Sequence, residues 1–137
     1  MSQAEPAKAK WILVIDDQPM IRDILERFLQ MDGYFVSTAA GAAEGMDRAR
    51  SLPIDLVVLD LDLPWSSGLT ARAELRSDPA LAHLPLLLIS SRLSKRDLQK
   101  MATAGVDGFL TMPFSLAEVR ETVSRLLGPA GELVSPA

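Results

Sequence analysis

The sequence contains no cysteine, which excludes disulfide bonds and thiolate metal sites. That absence fits a reducing compartment, and we expect a cytoplasmic protein. Positive charge is in the minority: the net charge is −4 and the pI is near 4.9. An acidic chain offers no electrostatic basis for binding nucleic acid or an anionic membrane, so neither partner is expected.

Long hydrophobic runs are missing as well. No apolar run approaches the ~20 residues that a membrane-spanning helix needs. The N-terminal sequence MSQAEPAKAK has no hydrophobic segment either. We therefore expect neither a signal peptide nor insertion into a membrane.

The chain does contain enough apolar sequence for one domain. It has 137 residues, of which 48% are hydrophobic, and this is typical of a single globular domain with one sizeable core. Polar and small residues dominate both ends. We expect residues 1–10 to be a flexible N-terminal segment, residues 11–127 to be the folded domain, and residues 128–137 to be a flexible tail.

Strand and helix patterns alternate along the folded part. Short apolar runs, typical of strands buried on both faces, alternate with apolar stripes at helical spacing. The predicted strands are Trp11–Ile15, Tyr34–Thr38, Leu56–Leu59, Leu86–Ile89 and Asp107–Thr111. Right-handed crossovers then force a parallel sheet with helices on both faces. The pattern predicts an α/β fold of flavodoxin-like topology, a (βα)5 three-layer sandwich with a five-stranded sheet in the order 2-1-3-4-5.

Acidic residues follow two of these strands. Asp16 and Asp17 come directly after the first strand, and Asp60 follows the third. In the predicted order these strands are neighbours, so the three carboxylates meet at the carboxyl edge of the sheet, where such folds bind ligands. Clustered negative charges beside a dry core are unfavourable unless a cation joins them. Carboxylate oxygens suit Mg²⁺, so these residues predict a magnesium site.

Four short motifs at the strand ends form a recognisable set. They are the acid pair Asp16-Asp17, the sequence DLDLPWSSG beginning at Asp60, the hydroxyl residue Ser90 after the fourth strand, and the sequence GVDGFLTMPF at the fifth. Together they resemble the receiver domain of two-component response regulators. The resemblance covers nearly the whole chain, from Trp11 to Leu127.

The resemblance implies a phosphoacceptor and its metal ligands. Asp60 would take a phosphoryl group from a histidine kinase or a phosphotransfer protein, acting as an aspartyl nucleophile. Asp17 and Asp60 would bind Mg²⁺, or Mn²⁺ in its place, directly, together with the backbone carbonyl of Asp62, while Asp16 would help through water. Such a domain is a signalling phosphoacceptor that catalyses only its own phosphorylation and dephosphorylation, so we do not expect an enzyme.

Two further positions match the family's switch, and a third departs from it. Ser90 matches the switch hydroxyl, and Phe109 matches the aromatic residue that follows it inward. Receiver domains carry a lysine before the proline after the fifth strand, where this chain has Met112. A thioether cannot pair with phosphoryl oxygens, so the expected stabilisation and switching are weakened, while the metal site is left intact. The family pattern also predicts a cis peptide bond between Met112 and Pro113.

The resemblance implies partners as well. An output protein would dock on the face formed by the fourth helix, the fifth strand and the fifth helix, and a homodimer stays open. At the rim of the site, Asp62 and Arg92 lie two residues after Asp60 and Ser90. Their charges either form an ion pair over the phosphoryl group or stay separately solvated.

Two other functions fit parts of the pattern. Asp60 and Asp62 have the spacing of the nucleophile and acid of haloacid-dehalogenase-type phosphatases, although that family places the pair after its first strand. The second alternative is a pseudo-receiver, a phosphorylation-independent protein-binding module with the same fold. Met112 favours that alternative, and the retained acid cluster argues against it.

Overall fold

Strands and helices alternate along the part of the chain that the structure describes. A computed structural model describes residues 9–62, 68–91, 96 and 107–127. The elements in chain order are β1 (Trp11–Ile15), α1 (Pro19–Met31), β2 (Phe35–Ala39), α2 (Ala42–Ser51), β3 (Leu56–Asp60), α3 (Gly68–Ser77), β4 (Leu86–Ser90), β5 (Gly108–Thr111) and α4 (Leu116–Leu127). Apart from residue 96, the helix predicted between the fourth and fifth strands lies outside the described residues, as do the tail from residue 128 and Arg92.

The strands form one parallel sheet in the order β2-β1-β3-β4-β5, which confirms the predicted topology. Strands β3 and β4 are buried along their full length. Because both of their faces are covered, their sequences LVVLD and LLLIS lack the polar alternation of a half-exposed strand. The register places Asp60 beside Ile89 and Ser90 beside Thr111, so the last residues of β3, β4 and β5 lie at the same edge of the sheet.

Each face of the sheet has its own apolar core, because alternate side chains of a strand point to opposite faces. Helices α2 and α3 cover one face, and α1 and α4 cover the other. The buried helix residues are Met46, Ala49, Ala71 and Leu75 on the first face, and Leu25, Leu29, Val119 and Val123 on the second. These layers are the predicted three-layer sandwich.

The ends of the helices follow the signals in the sequence. Pro19 begins α1, where its missing N–H costs no hydrogen bond. Gly33 follows α1 with a φ of 98°, a conformation that favours glycine. Before α4, the amide of Ser115 donates to the Glu118 carboxylate at 2.8 Å, and the Glu118 amide donates to the Ser115 hydroxyl at 3.1 Å, as a capping box predicts. None of the described helices is long and apolar enough to cross a membrane.

The start of β1 is fixed by contacts with β2 and with the β3 side of the sheet. The backbone carbonyl of Lys10 accepts a hydrogen bond from the Phe35 amide at 2.9 Å. The Trp11 amide donates to the Asp55 carboxylate at 2.8 Å, and the rings of Trp11 and Phe35 lie 5.1 Å apart. Most of the predicted flexible N-terminal segment, residues 1–8, lies outside the described residues, so the boundaries of the domain stay a prediction.

Candidate functional site

Three acidic side chains meet at the carboxyl edge of β1 and β3. Asp16 and Asp17 follow β1, and Asp60 is the last residue of β3, the neighbouring strand. Carboxylate oxygens from all three lie within 4.8 Å of one another. Asp16 and Asp60 are only 2% and 5% exposed, whereas Asp17 is more exposed. The structure therefore brings together the three acids that the sequence predicts as metal ligands.

The two buried carboxylates are oriented by the same local device. Asp16 accepts a hydrogen bond from the Gln18 amide at 2.8 Å, and Asp60 accepts one from the Asp62 amide at 2.8 Å. An aspartate that accepts from the amide two residues later forms a compact turn. Arg22 adds a hydrogen bond of 2.7 Å to the backbone carbonyl of Asp16. These bonds fix both carboxylates at the mouth of the sheet.

Burial changes the protonation of this cluster. It is the main cause that raises the pKa of Asp60 to about 7; the hydrogen bond from the Asp62 amide opposes the shift, and the charges of Asp16 and Asp62 add to it. Burial also raises the pKa of Asp16. Burial thus makes ionisation of both acids less favourable, and for Asp60 the neighbouring charge of Asp16 adds to the effect. A small divalent cation among the same oxygens would favour the ionised form, and three clustered carboxylates fit the oxygen ligands that Mg²⁺ prefers.

Ser90 and Ser91 lie next to these acids, at the end of β4. The Ser90 hydroxyl is 1% exposed and donates to the Asp62 carboxylate, at 3.1 Å from Oδ1 and 3.3 Å from Oδ2. Asp62 Oδ2 also accepts from the Ser91 amide at 2.7 Å and from the Ser91 hydroxyl at 3.0 Å. From the sequence, we predict a metal-binding backbone carbonyl at Asp62 and, as one of two alternatives, an ion pair between its side chain and Arg92. The hydrogen bonds from Ser90 and Ser91 are not predicted. The available signal was a carboxylate after β3 facing two hydroxyl residues after the neighbouring strand β4.

Met112 lies at the same site. Its backbone amide donates to the Ser90 carbonyl at 2.9 Å, and it lines a small pocket together with Asp16, Asp60, Asp62 and Ser90. The Met112–Pro113 peptide bond is cis, as predicted. None of the described residues that line this pocket is a lysine or an arginine.

Phe109, the predicted switch aromatic, lies in β5 beside Leu88 of β4. It is partly buried and packs against the core on the α2 and α3 face of the sheet. Only two residues separate it from Met112, so both positions depend on the placement of β5. The structure thus gathers the acids, Ser90 and Met112 in one pocket and places Phe109 on the adjoining strand.

A comparison with known families identifies this arrangement. Residues 12–124 match the family model of the response regulator receiver domain. The chain belongs to this family. It is a receiver domain of the kind used in two-component systems, and its acid cluster fits Mg²⁺ binding.

Individual relatives agree with this assignment. The DNA-binding dual master transcriptional regulator RpaA from Synechocystis sp. is 37% identical over 116 residues, which are 85% of this chain and 48% of RpaA. The chemotaxis protein CheY4 of Vibrio cholerae has a TM-score of 0.81 at 27% identity, covering 88% of this chain and 100% of CheY4. The response regulator TrrA of Thermotoga maritima, solved with Mg²⁺ and BeF, has a TM-score of 0.75 at 31% identity, covering 86% and 99%. The chain thus spans about half the length of RpaA.

Family membership removes the basis for the phosphatase alternative. Asp60 ends β3, the middle strand of the sheet, and does not follow a first strand as the phosphatase alternative requires. The pseudo-receiver alternative gains no better support, because Asp16, Asp17 and Asp60 are all present and close together. Met112 lies in the pocket with Asp60, at the position where the family resemblance leads us to expect a lysine.

Proposed function

We propose that Asp60 is the phosphoacceptor of this receiver domain, and that it takes a phosphoryl group from a histidine kinase or a phosphotransfer protein. The observation that supports this role is the clustering of the Asp16, Asp17 and Asp60 carboxylates within 4.8 Å at the open edge of the sheet. One Asp60 oxygen attacks the phosphorus atom, the bond to the donor's histidine nitrogen breaks, and an aspartyl phosphate results.

The same acids would hold the metal ion that the family resemblance implies. Asp17 and Asp60 would bind Mg²⁺, or Mn²⁺ in its place, through their carboxylates, with the backbone carbonyl of Asp62, and Asp16 would act through water. When bound, the cation supplies positive charge that offsets the charge of the phosphoryl group. The hydrogen bond from the Asp62 amide to Asp60 Oδ1 holds the carboxylate in one orientation, which leaves the other oxygen as the nucleophile.

The response to phosphorylation is assigned to β4 and β5. The Ser90 hydroxyl turns to a phosphoryl oxygen, and Phe109 moves inward behind it. The output protein docks on the face formed by β5, α4 and the helix predicted between β4 and β5. This role does not depend on whether the domain forms a homodimer. We propose a signalling role and not a separate enzymatic one, with the cytoplasm as the expected location.

Chemical phosphorylation tests the role of Asp60 directly. The domain is incubated with acetyl phosphate and Mg²⁺, and intact mass spectrometry should show the gain of one phosphoryl group. Asp60→Asn should abolish the gain, and removing the metal with EDTA should suppress it. Asp47→Asn, at an exposed position of α2, is the matched control and should be modified like the unaltered domain.

The same experiment addresses the alternative that Met112 favours. If the unaltered domain stays unmodified, or if Asp60→Asn is modified to the same extent, then Asp60 is not the phosphoacceptor. A folded domain that gains no phosphoryl group but still captures its partner would be a pseudo-receiver, a phosphorylation-independent binding module.

A further inference from the structure

The carboxylate of Asp62 accepts several hydrogen bonds from the protein, so it is not simply a solvated side chain at the rim of the site. It accepts from the Ser90 hydroxyl, the Ser91 amide and the Ser91 hydroxyl, at distances from 2.7 to 3.3 Å. Asp62 follows β3 and both serines lie at the end of β4, so these bonds link the ends of two neighbouring strands. Bonds to an ionised acceptor are roughly twice as strong as bonds between neutral groups.

The bond from Ser90 matters because of hydroxyl chemistry. A serine hydroxyl has a single proton to donate, whereas an ionised carboxylate and a phosphoryl group only accept. Ser90 is 1% exposed, so water competes little for that proton. The hydroxyl can therefore donate to Asp62 or to a phosphoryl group on Asp60, but not fully to both.

We propose that Asp62 is a positioning residue that holds the Ser90 hydroxyl in the resting state and competes with the phosphoryl group on Asp60 for its proton. This inference rests on the proposed role of Asp60 as phosphoacceptor. Phosphorylation then has to break the bond between Ser90 and Asp62 before Ser90 can turn inward. The carboxylate of Asp62 thus opposes switching, in addition to the metal-binding role proposed for its backbone carbonyl.

Met112 makes the opposition of Asp62 more consequential. The pocket that contains Asp60, Asp62 and Ser90 is lined by Met112 and by no described lysine or arginine. A thioether offers the phosphoryl group no donor, so the hydroxyl of Ser90 is the more important for recognising it. Competition for that one hydroxyl therefore bears directly on the balance between the resting and switched states.

Beryllofluoride binding at saturating Mg²⁺ tests the competition. Four proteins are compared: the unaltered domain, Asp62→Ala, Ser90→Ala and the double variant. Asp62→Ala should bind about tenfold more tightly than the unaltered domain, as expected for one bond to a charged group. In the Ser90→Ala background the same change should add no affinity, because the hydroxyl for which Asp62 competes is gone.

The double variant separates the competition from simple charge repulsion. Removing the negative charge of Asp62 could by itself favour an anionic ligand, but that effect persists without Ser90. An equal gain in both backgrounds would overturn the proposal, as would no gain from Asp62→Ala alone. Ser91→Ala removes one donor to Asp62 and keeps Ser90, so it should not tighten binding.

A spectroscopic measurement checks the resting bond without any phosphoryl analogue. The Ser91 amide proton, which donates to Asp62 at 2.7 Å, should resonate downfield and move upfield in Asp62→Asn. Asp62→Asn keeps the shape of the side chain and serves if Asp62→Ala fails to fold. Acetyl phosphate labelling of the unaltered domain distinguishes the role of Asp62 from that of Asp60. If the domain is labelled but Asp62→Ala does not bind beryllofluoride more tightly, only the role of Asp62 is overturned. If the domain is not labelled, both roles are overturned.

Discussion

Carboxylate oxygens of Asp60 and Asp16 lie within 4.8 Å of each other, across the ends of the neighbouring strands β3 and β1. Both side chains are almost fully buried, at 5% and 2% exposure. Burial raises the pKa of each, that of Asp60 to about 7. The folded, metal-free domain therefore binds a proton that the unfolded chain releases near its ordinary pKa of 3.8.

The stability of the metal-free domain should depend on this proton. The stabilising contribution is fully present below the unfolded pKa of 3.8 and is lost as the pH rises through about 7. Relative to Asp60→Asn, the free energy of unfolding should fall by ~2 kcal/mol between about pH 5 and about pH 8. Urea denaturation in EDTA, followed by circular dichroism, measures it.

Comparison with Asp60→Asn removes the pH dependence of the groups that do not interact with Asp60. At saturating Mg²⁺, the difference in the free energy of unfolding between the two proteins should depend much less on pH. The reason is that the bound cation, in place of a proton, then stabilises the ionised carboxylates. A difference that stays constant or grows with pH in EDTA would show that the pKa of Asp60 is not raised in the folded state.

Metal binding should depend on Asp17, the most exposed of the three acids. Asp17→Asn removes one direct ligand charge, and we expect Mg²⁺ titration to lose its fluorescence change. Asp47→Asn removes the same charge from α2 and serves as the control, because it alters long-range electrostatics without touching the cluster. An unaltered titration of Asp17→Asn would count against the proposed ligand set.

Gly45 allows a close approach of α2 to β1. A Cβ atom built at Gly45 would lie 2.9 Å from Cγ1 of Ile15 and closer still to its Cδ1, and Ile15 is 1% exposed. Alanine favours a helix over glycine by ~1 kcal/mol, whereas overpacking a core costs ~1–3 kcal/mol. We expect Gly45→Ala to destabilise the domain by ~1 kcal/mol in thermal or urea unfolding.

Two further variants test the cause of that loss. Ile15→Val removes the Cδ1 atom, so the double variant should be more stable than the sum of the single effects predicts. Gly41→Ala is the control, because a Cβ there meets nothing within 4 Å and the φ of −159° suits any residue. A stabilising Gly45→Ala would mean that Ile15 moves aside at little cost.

The fold could be predicted because its signals are local. Runs such as LVVLD and LLLIS reveal strands buried on both faces, and the acids that end β1 and β3 meet once the strand order is known. The exact ends were harder to predict: β2 begins at Phe35 and not at Tyr34, although Tyr34 is buried at 5% exposure. Apolar character gives burial, but only backbone pairing decides where a strand begins.

Contacts between distant side chains could not be predicted in the same way. Asp32 and Arg120 are 88 residues apart in sequence, yet they form two hydrogen bonds of 2.9 and 3.0 Å, with the guanidinium over the Phe28 ring. The bonds from Ser90 and Ser91 to Asp62 likewise depend on side-chain rotamers and on the loop after β3. A sequence shows that such residues are available, but not which of several acceptors each donor chooses.

Met112 should separate phosphorylation from switching. Phosphoryl transfer needs a nucleophile and metal ligands, the roles that we propose for Asp60 and for the clustered acids. A hydrogen bond to a charged group contributes ~1.5–3 kcal/mol, and the coupling between two sites is typically about 1–3 kcal/mol. Loss of the lysine interaction can therefore remove most of the bias towards the switched state. We expect Asp60 to accept a phosphoryl group while the conformation of Phe109 changes little. The face on which the output protein is proposed to dock then stays largely in one state.

Restoring the charge should restore the response. The Met112 amide donates to the Ser90 carbonyl at 2.9 Å, and the residue lines the pocket of Asp60. A lysine at this position would therefore have its backbone at the edge of that pocket. Met112→Lys should enlarge the beryllofluoride-dependent NMR shift of Phe109, whereas Met112→Leu, of similar size and no charge, should not. If the unaltered domain already switches fully and Met112→Lys adds nothing, Met112 is a tolerated departure, and the hydroxyl of Ser90 is sufficient to couple Asp60 to β5.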